Sequence, residues 1–388
     1  MTADAPSAAV QAALTPSKAG RYHGPNPVET VRIIGNRGDQ RVRLQGTTAG
    51  DAAAPAAGLA AFAVRITLAC AALCAAAAAG AQTRVDFVLN RGPSGDHAPY
   101  YFAKKRGWYV KEGIDLSFEP GRGSAQATQK VGAGASPIGV SDMGGVLVAR
   151  GKGADLVAVF NVQANSPQGL YWLKRSGITS VRDLAGRRIG NPAGDGARTM
   201  WPALARSNGI DPASVTWVDV EAGSRVAALK AKSIDATTAL FDAHPVFQRA
   251  LGDDMGFIAW KDAGLNPYGN SVIVNADFLA RNRPLVDRFV KVTQRAFAAC
   301  VAQPEPCVQA LVEANGALKF DIELTHWKLL ETLMDDRHSR GVALGIHDDA
   351  RMKADYELMA ASVGFDKPFD VKRAYTNEFL DRNVRMVR

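Results

Sequence analysis

Short apolar runs alternate with amphipathic stretches along the chain after residue 82. Strand-type runs occur at residues 85–89, 114–118, 137–140 and 156–160, with helix-type segments between them near residues 99–106, 124–131 and 142–149. The pattern restarts after Ile178, with further strand-type runs at residues 188–190, 216–220, 236–240 and 257–260. Helical stretches at residues 196–207 and 224–230 separate them. Such alternation predicts α/β units built on parallel sheets.

The chain becomes helical after residue 275. Apolar side chains recur there at i, i+4, i+7, i+11 and i+14, which is one face of a helix, at Leu285, Phe289, Val292, Ala296 and Ala299. Further helices are predicted around residues 307–313, 322–334 and 350–361. None carries a catalytic spacing, so we expect their apolar stripes to face the core.

An apolar run at residues 65–81 has the composition of a secretory signal. Arg65 precedes an uncharged stretch that ends at Ala79-Gly80-Ala81, a small-residue cleavage pattern. A membrane-spanning helix needs about twenty apolar residues, which is more than this run supplies. We predict a signal peptide at residues 58–81, cleaved near Ala81, and an exported, periplasmic protein. The alternative is a buried alanine-rich helix.

Residues 1–57 show no sustained helical or strand period and are rich in Ala, Gly, Thr and Pro. They are predicted to be a disordered extension, or a segment included because the start codon is placed too far upstream. The sequence leaves both interpretations open.

Charge and composition narrow the function further. The formal charge is +8, and seven basic and four acidic residues lie before residue 82, which leaves +5 for the rest. Long Lys/Arg runs and alternating aromatic and basic residues are absent from this sequence, which argues against nucleic-acid binding. No G-x-S-x-G, H-E-x-x-H or Walker motif occurs, and the histidines form no closely spaced pair. We therefore expect neither catalysis nor a cofactor nor a metal site.

Two cysteines, Cys300 and Cys307, follow the predicted cleavage point. In an oxidising compartment they are expected to form a disulfide. A redox or metal-binding pair is the alternative, but the spacing is not C-x-x-C and no histidines lie nearby.

Several segments together resemble a known family. They are APYYFAKKRGWY at residues 98–109, EGIDL at 112–116, GRGS at 121–124, VGAG at 131–134, IGVSD at 138–142 and SGITSVRDLAGRRIG at 176–190. Their order and spacing are similar to the nitrate/sulfonate/taurine and thiamine-pyrimidine-precursor (NMT1/THI5-like) family of periplasmic solute-binding proteins of ABC transporters. The resemblance covers essentially the whole chain after the signal.

The resemblance implies an α/β fold of the two-lobe, type II periplasmic-binding-protein kind, with a ligand cleft between the lobes. Residues 83–172 with 268–388 would form lobe 1 and residues 173–267 lobe 2, joined by crossing segments near 171–174 and 268–274. It also implies a monomer that delivers a small-molecule solute to an ABC permease in the inner membrane.

Two other classes remain as alternatives. Fungal pyrimidine synthases share the general fold, but they carry a cysteine cluster that this chain lacks. The ligand-sensing half of a transcription regulator would need an N-terminal DNA-binding helix pair, which residues 1–57 do not supply and which an export signal excludes.

The candidate ligand contacts follow the predicted strands, because ligands of open α/β sheets lie beyond the carboxyl ends of the strands. In the first lobe they are His97, Tyr100, Gly123, Ser124 and Asp142. In the second lobe they are Asn191, Gly194, Asp195, Gly196, Arg198, Glu221 and Asp242, and Tyr268 near the second crossing is expected to stack on a ring. Each has an ordinary alternative as a helix cap, a turn, a core residue or a surface residue.

The chemistry of these candidates leaves the solute open. Carboxylates at Asp142, Glu221 and Asp242 favour a nitrogenous or aromatic solute. Backbone N–H groups with Arg198 would favour a sulfonate or nitrate.

Overall fold

The computed structural model describes residues 82–193 and 195–386. The predicted signal, the segment before it and Gly194 lie outside the described residues.

Short strands and helices alternate as the apolar pattern predicts. The strands are β1 Thr83–Val88, β2 Ile114–Glu119, β3 Ile138–Asp142, β4 Leu156–Asn161, β5 Gln168–Leu173, β6 Arg188–Asn191, β7 Thr216–Asp219, β8 Ala236–Leu240, β9 Met255–Ala259 and β10 Asn270–Asn275. The helices are α1 Ala98–Lys105, α2 Trp108–Lys111, α3 Ser124–Gly132, α4 Met143–Gly151, α5 Gly196–Ser207, α6 Arg225–Lys230, α7 His244–Leu251, α8 Ala276–Arg281, α9 Arg283–Ala302, α10 Pro304–Ala314, α11 Phe320–Glu331 and α12 Asp349–Val363.

The strands form two five-stranded sheets. The first has the order β2-β1-β3-β10-β4 and the second the order β7-β6-β8-β5-β9. In the first sheet β1 pairs in parallel with β2 and β3, and in the second β6 pairs in parallel with β7 and β8. Two separate α/β units are therefore present, as the restart of the pattern predicts.

Both sheets are mixed rather than fully parallel, which differs from the prediction. β10 runs antiparallel to β3 and β4, and β5 runs antiparallel to β8 and β9. Each of these strands enters its sheet directly from the other sheet. Such a strand begins at the side of the sheet where the parallel strands have their carboxyl ends. It therefore runs antiparallel to them.

The chain passes from the first sheet to the second at residues 162–167 and returns at residues 260–269. The sequence predicts the first passage at residues 171–174, but these residues include the end of β5, a strand of the second sheet. The predicted second crossing at 268–274 overlaps the observed return only at residues 268 and 269, because residues 270–274 belong to β10. The division into moving lobes stays a prediction, since sheet membership does not measure motion.

Helices cover both faces of each sheet. The stripe predicted in α9 is a core face, because Leu285, Phe289, Val292 and Ala296 are all buried against the first sheet. Cys300 at the end of α9 is bonded to Cys307 in α10, with Cα atoms 5.8 Å apart. No helix in the described part of the chain is long and apolar enough to cross a membrane.

Candidate functional site

The loops that follow β1 and β2 form one continuous polar edge on the first sheet. The amide of Gly123 donates to the carbonyl of Asn90 at 2.8 Å, and the amide of Gly121 donates to that of Arg91 at 3.2 Å. Gly123 has φ 125°, a backbone conformation that favours glycine. Ser124 lies half-buried beside it, and its hydroxyl accepts from the amide of Asp142 at 3.2 Å. The structure therefore brings Gly123, Ser124 and Asp142 together.

Asp142 acts as a helix cap at this edge. Its carboxylate accepts from the amide of Gly145 at 3.2 Å, in the first turn of α4. Burial raises the pKa of Asp142, although its bonds to the amides of Gly145 and Gly144 oppose that shift. The carboxylate is therefore already occupied within the chain.

His97 stabilises the loop after β1. It is 1% exposed, and its Nε2 lies 2.9 Å from the Asn90 amide oxygen. The amide of Ser94 donates to its Nδ1 at 3.2 Å. Burial lowers the pKa of His97 despite the nearby Asp96 carboxylate, so the ring is neutral near pH 7. In this structure the ring supports the loop from inside.

Tyr100 does not lie with these loops. Its ring packs in the apolar core against Phe87 and Phe297, with ring centroids 4.9 and 5.3 Å away. Its hydroxyl is buried without a hydrogen-bond partner among the described residues. Tyr100 lies in the first turn of α1, and that turn packs against the core.

The matching edge of the second sheet begins at Asn191. Its side chain is fully buried. Its Oδ1 accepts from the amide of Thr238 at 3.2 Å and from the hydroxyl of Thr237 at 3.1 Å. This ties the ends of β6 and β8 to each other. Asn191 therefore forms the floor of the second edge rather than an open contact.

Asp195 and Arg198 are bound to neighbours within the second unit. Asp195 caps α5 by accepting from the amide of Ala197 at 2.8 Å, and its other oxygen accepts from Arg225 at 2.8 Å. Arg198 donates to the Val218 carbonyl at 3.0 Å and pairs with Asp219 at 2.6 Å. The Arg198 guanidinium is thus engaged by this chain.

Two other candidates in the second unit are open to solvent. Gly196 is the exposed first residue of α5, and Glu221 is exposed where the chain turns after β7. Gly194 lies outside the described residues.

Arg225 is a residue that sequence reasoning missed. It is 9% exposed, and its Nε has no hydrogen-bond partner in the described part of the chain. The sequence signal that could have found Arg225 is its position at the start of α6, just after the loop that contains the candidate Glu221.

An ion pair joins the edges of the two sheets. Arg91, directly after β1, pairs with Asp242, directly after β8, and with Asp96 at 3.1 Å. Burial alone would lower the pKa of Arg91, but the carboxylates of Asp96 and Asp242 raise it above its ordinary value. Burial would likewise raise the pKa of Asp96, but Arg91 holds it well below its ordinary range. Sequence reasoning missed Arg91, because the candidate loop was taken to begin at Gly92.

Apolar side chains of the second unit also contact the first unit. Phe241, next to Asp242, packs against the core of the first unit. Met200 of α5 packs against the cluster that contains Met352 and Met359 of α12. The carboxyl ends of the two sheets therefore face each other across a cleft.

Tyr268 lies in the second crossing segment and is held by α12. Its amide donates to Asp355 at 2.8 Å, and its hydroxyl accepts from the amide of Asp348 at 2.9 Å. The Arg351 guanidinium lies 4.1 Å from the centre of its ring. Tyr268 is 2% exposed, so it supports the crossing rather than offering a free ring face.

Two buried amides near the first crossing were also missed. Asn161 ends β4 and is 2% exposed, and neither its Nδ2 nor its Oδ1 has a partner among the described residues. Gln163 accepts from the amide of Asn270 at 2.9 Å, while its Nε2 is unpartnered in the same set. Buried polar atoms without partners are rare and call for a ligand or water.

The edges can thus offer hydroxyl, amide and backbone groups to a small molecule. Most of the charged side chains between them are neutralised by partners from this chain. Within residues 82–193 and 195–386, no group of three or more His, Cys, Asp or Glu side chains converges to hold a metal ion.

Relatives among characterised proteins include binding proteins and enzymes. The chain is 27% identical over 312 residues to the riboflavin-binding protein RibY of Chloroflexus aurantiacus, covering 76% of this chain and 86% of that protein. It is 26% identical over 319 residues to the 4-amino-5-hydroxymethyl-2-methylpyrimidine phosphate synthase of Legionella pneumophila, covering 77% and 93%.

Solved structures establish the fold. The periplasmic aliphatic sulphonate binding protein SsuA from Escherichia coli superposes with a TM-score of 0.60 at 15% identity, covering 75% of this chain and 91% of that one. The fold is therefore the two-lobe, type II periplasmic-binding-protein fold. A sequence profile described as NMT1/THI5 like matches residues 94–307, more than half of the chain. The protein belongs to the NMT1/THI5-like family.

Proposed function

We propose that the protein is the solute-binding component of an ABC importer and captures a small polar or aromatic solute, containing nitrogen or sulfur, between its lobes. The observation that carries this proposal is the ion pair between Arg91 and Asp242. It places the loops after β1 and β8 against each other, so that polar loops of both sheets border one cleft. Ligands of such sheets bind where the strands end.

We assign direct contact to the half-open groups of the two edges. Ser124, beside Gly123, would donate its hydroxyl hydrogen from the first lobe. Gly196 would border the solute from the second, beside the Asp195 carboxylate that Arg225 neutralises. His97, Asn191 and Tyr268 would hold the walls. Asp142 and Asp242 are engaged within the chain, which weakens the support for a nitrogenous solute. Arg198 is engaged as well, which weakens the support for a sulfonate or nitrate.

The proposal includes export and a membrane partner. We propose that the chain is cleaved near Ala81, works in the periplasm as a monomer and releases its solute to an ABC permease. The likeness to SsuA, a periplasmic binding protein, supports this assignment.

We further propose that the protein binds without turning its solute over. The Legionella relative is named as a synthase, which is the reason to test the enzymatic alternative. Against it, the cysteines after residue 82 are Cys300 and Cys307, and they are bonded to each other, so this chain has no free cysteine cluster there.

A ligand screen on the full chain tests the proposal. Alkanesulfonates, nitrate, aromatic acids and thiamine pyrimidine precursors are added separately, and thermal unfolding is followed by fluorescence. A ligand at about 100 times its Kd stabilises by about 2.7 kcal/mol, which raises Tm by about 2–4 °C for each kcal/mol in a large domain. No rise with any of these solutes would refute the proposal.

Calorimetry on a hit then tests the site. Ser124→Ala removes the proposed hydroxyl contact, worth about 1 kcal/mol, so Kd should rise about fivefold. The matched control is Ser233→Ala, an exposed serine whose hydroxyl bonds to the Ala228 carbonyl. Mass spectrometry of the bound molecule after incubation completes the test, because a converted product would favour the synthase alternative.

A further inference from the structure

A cavity lies beside the first crossing, and neither Ser124 nor Asp195 lines it. Its volume is about 220 Å³. We call it the hinge pocket, and its walls are Tyr171, Phe241, His244, Phe257, Leu329 and Leu333. Among the residues that the structure describes, none of the predicted ligand contacts lines it. Leu329 belongs to α11, whose Trp327 and Leu330 pack in the core of the first unit. The four aromatic residues belong to the second unit. The pocket is therefore shared by both units.

Aromatic rings form one corner of the hinge pocket. The ring of Phe257 lies 4.9 Å from that of Tyr171 and 4.6 Å from that of His244, with interplanar angles of 43° and 76°. Rings arranged in this way offer both faces and edges to another ring, which is the geometry that aromatic pairs prefer.

Gly169 makes this corner possible. A Cβ atom at residue 169 would lie 2.5 Å from Cε2 of Phe257, so any other residue would push that ring away from β5. Phe257 nevertheless remains 39% exposed. A large ring left partly open beside a cavity is a surface that an apolar ligand can cover.

The charges around the hinge pocket favour an uncharged ligand. Burial lowers the pKa of His244, so its ring is neutral near pH 7. The charged pair at the rim, Lys261 and Asp262, neutralises itself at 3.2 Å.

Size sets the remaining limit. An apolar cavity of roughly 150 Å³ binds benzene. The hinge pocket is larger, at about 220 Å³, and has space for one substituted ring or a compact pair of fused rings.

We propose that the hinge pocket is a second binding site, separate from the polar cleft, which takes one small uncharged aromatic molecule of benzene to indole size. Its occupant would contact both units of the protein.

Titration of the full chain with indole tests the proposal, followed by calorimetry and by thermal unfolding. A ligand of this size in a matching pocket should bind with a Kd of about 0.1–1 mM. Cyclohexanol, an uncharged ring without aromatic character, should bind more weakly. Absence of indole binding, or equal binding of cyclohexanol, would overturn the proposal.

Substitutions then locate the site. Ala259→Leu places a larger side chain in the pocket wall and should weaken indole binding at least tenfold. The control Ala280→Leu lies on exposed α8 and should leave the affinity unchanged. Should Ala259→Leu fail to fold, Phe257→Leu removes a partly exposed wall ring and should weaken binding several-fold. Unchanged affinity in the folded pocket variant would contradict the proposal.

The cleft variant separates this inference from the proposed function. Ser124→Ala should leave the indole Kd unchanged, because Ser124 does not line the hinge pocket. A loss of indole binding in Ser124→Ala would overturn the second site, whereas failure of the solute screen would leave the indole result standing.

Discussion

Asp355 should make the stability of this protein fall as the pH rises. Its carboxylate is 6% exposed in α12 and accepts from the Tyr268 amide at 2.8 Å. Burial raises its pKa from 3.8 to about 7, with a further contribution from Asp142, while the Tyr268 amide and Arg351 oppose the shift. The folded protein therefore holds a proton on Asp355 at pH values where the unfolded chain has lost it.

The magnitude follows from the two pKa values. Because the folded pKa is the higher one, stability is lost as the pH rises through the window between about 4 and 7. A shift of about three pKa units corresponds to about 4 kcal/mol, which is fully lost at about pH 8. At about pH 4.5 the loss is only about 1 kcal/mol, so the two conditions differ by about 3 kcal/mol.

Asp355→Asn removes this titration and keeps an oxygen that can accept from Tyr268. Urea unfolding, followed by circular dichroism at about pH 4.5 and about pH 8, gives the free energy of unfolding of both proteins. From about pH 4.5 to about pH 8, the free energy of unfolding of the variant should rise by about 2–3 kcal/mol relative to that of the wild type. Any constant cost of the new amide cancels in this difference.

The control is Asp366→Asn, an exposed aspartate just after the same helix. It should change the free energy of unfolding by the same small amount at both pH values. The reasoning is refuted if Asp355→Asn differs from the wild type equally at about pH 4.5 and about pH 8.

Two further predictions concern the covalent and ionic links. Cys300→Ser removes the disulfide that closes a loop of about eight residues, so the free energy of unfolding measured in urea should fall by about 2–3 kcal/mol. Reduction of the wild type should cause the same loss. An unchanged urea midpoint in the variant would contradict this prediction. In a double-mutant cycle, Arg91→Gln and Asp242→Asn should show a coupling energy of about 1–2 kcal/mol, because the two side chains are only 27% and 24% exposed and Asp96 remains beside Arg91. Additive losses of stability would show that the two side chains do not interact.

Local structure was largely predictable from the sequence. The alternation in β2 and the apolar stripe of α9 follow side-chain periods of two and 3.6, and short apolar runs mark β1, β3 and β4. Both signals depend only on neighbouring residues. Loop composition also indicated where polar groups would collect, as Gly123 and Ser124 illustrate. β5 was missed because its last residues were assigned to a predicted chain crossing, and no local period distinguishes a strand inside a sheet from a segment that connects two sheets.

The candidate site shows where local reasoning ended. Tyr100 and His97 are three residues apart and both looked like loop-edge candidates, but only the packed core decides that the tyrosine faces Phe87 and Phe297. Asp195 and Asp242 looked like free carboxylates. Their partners, Arg225 and Arg91, lie 30 and 151 residues away in the chain.

The sequence by itself determined the alternation of strands and helices, the two-unit organisation and the family. Only the tertiary structure decided the order and direction of the strands, which side chains are neutralised and where the hinge pocket lies. The physical reason is that strand pairing and charge pairing join groups far apart in the chain. A side chain's environment is then set by partners that its own neighbours in sequence do not reveal.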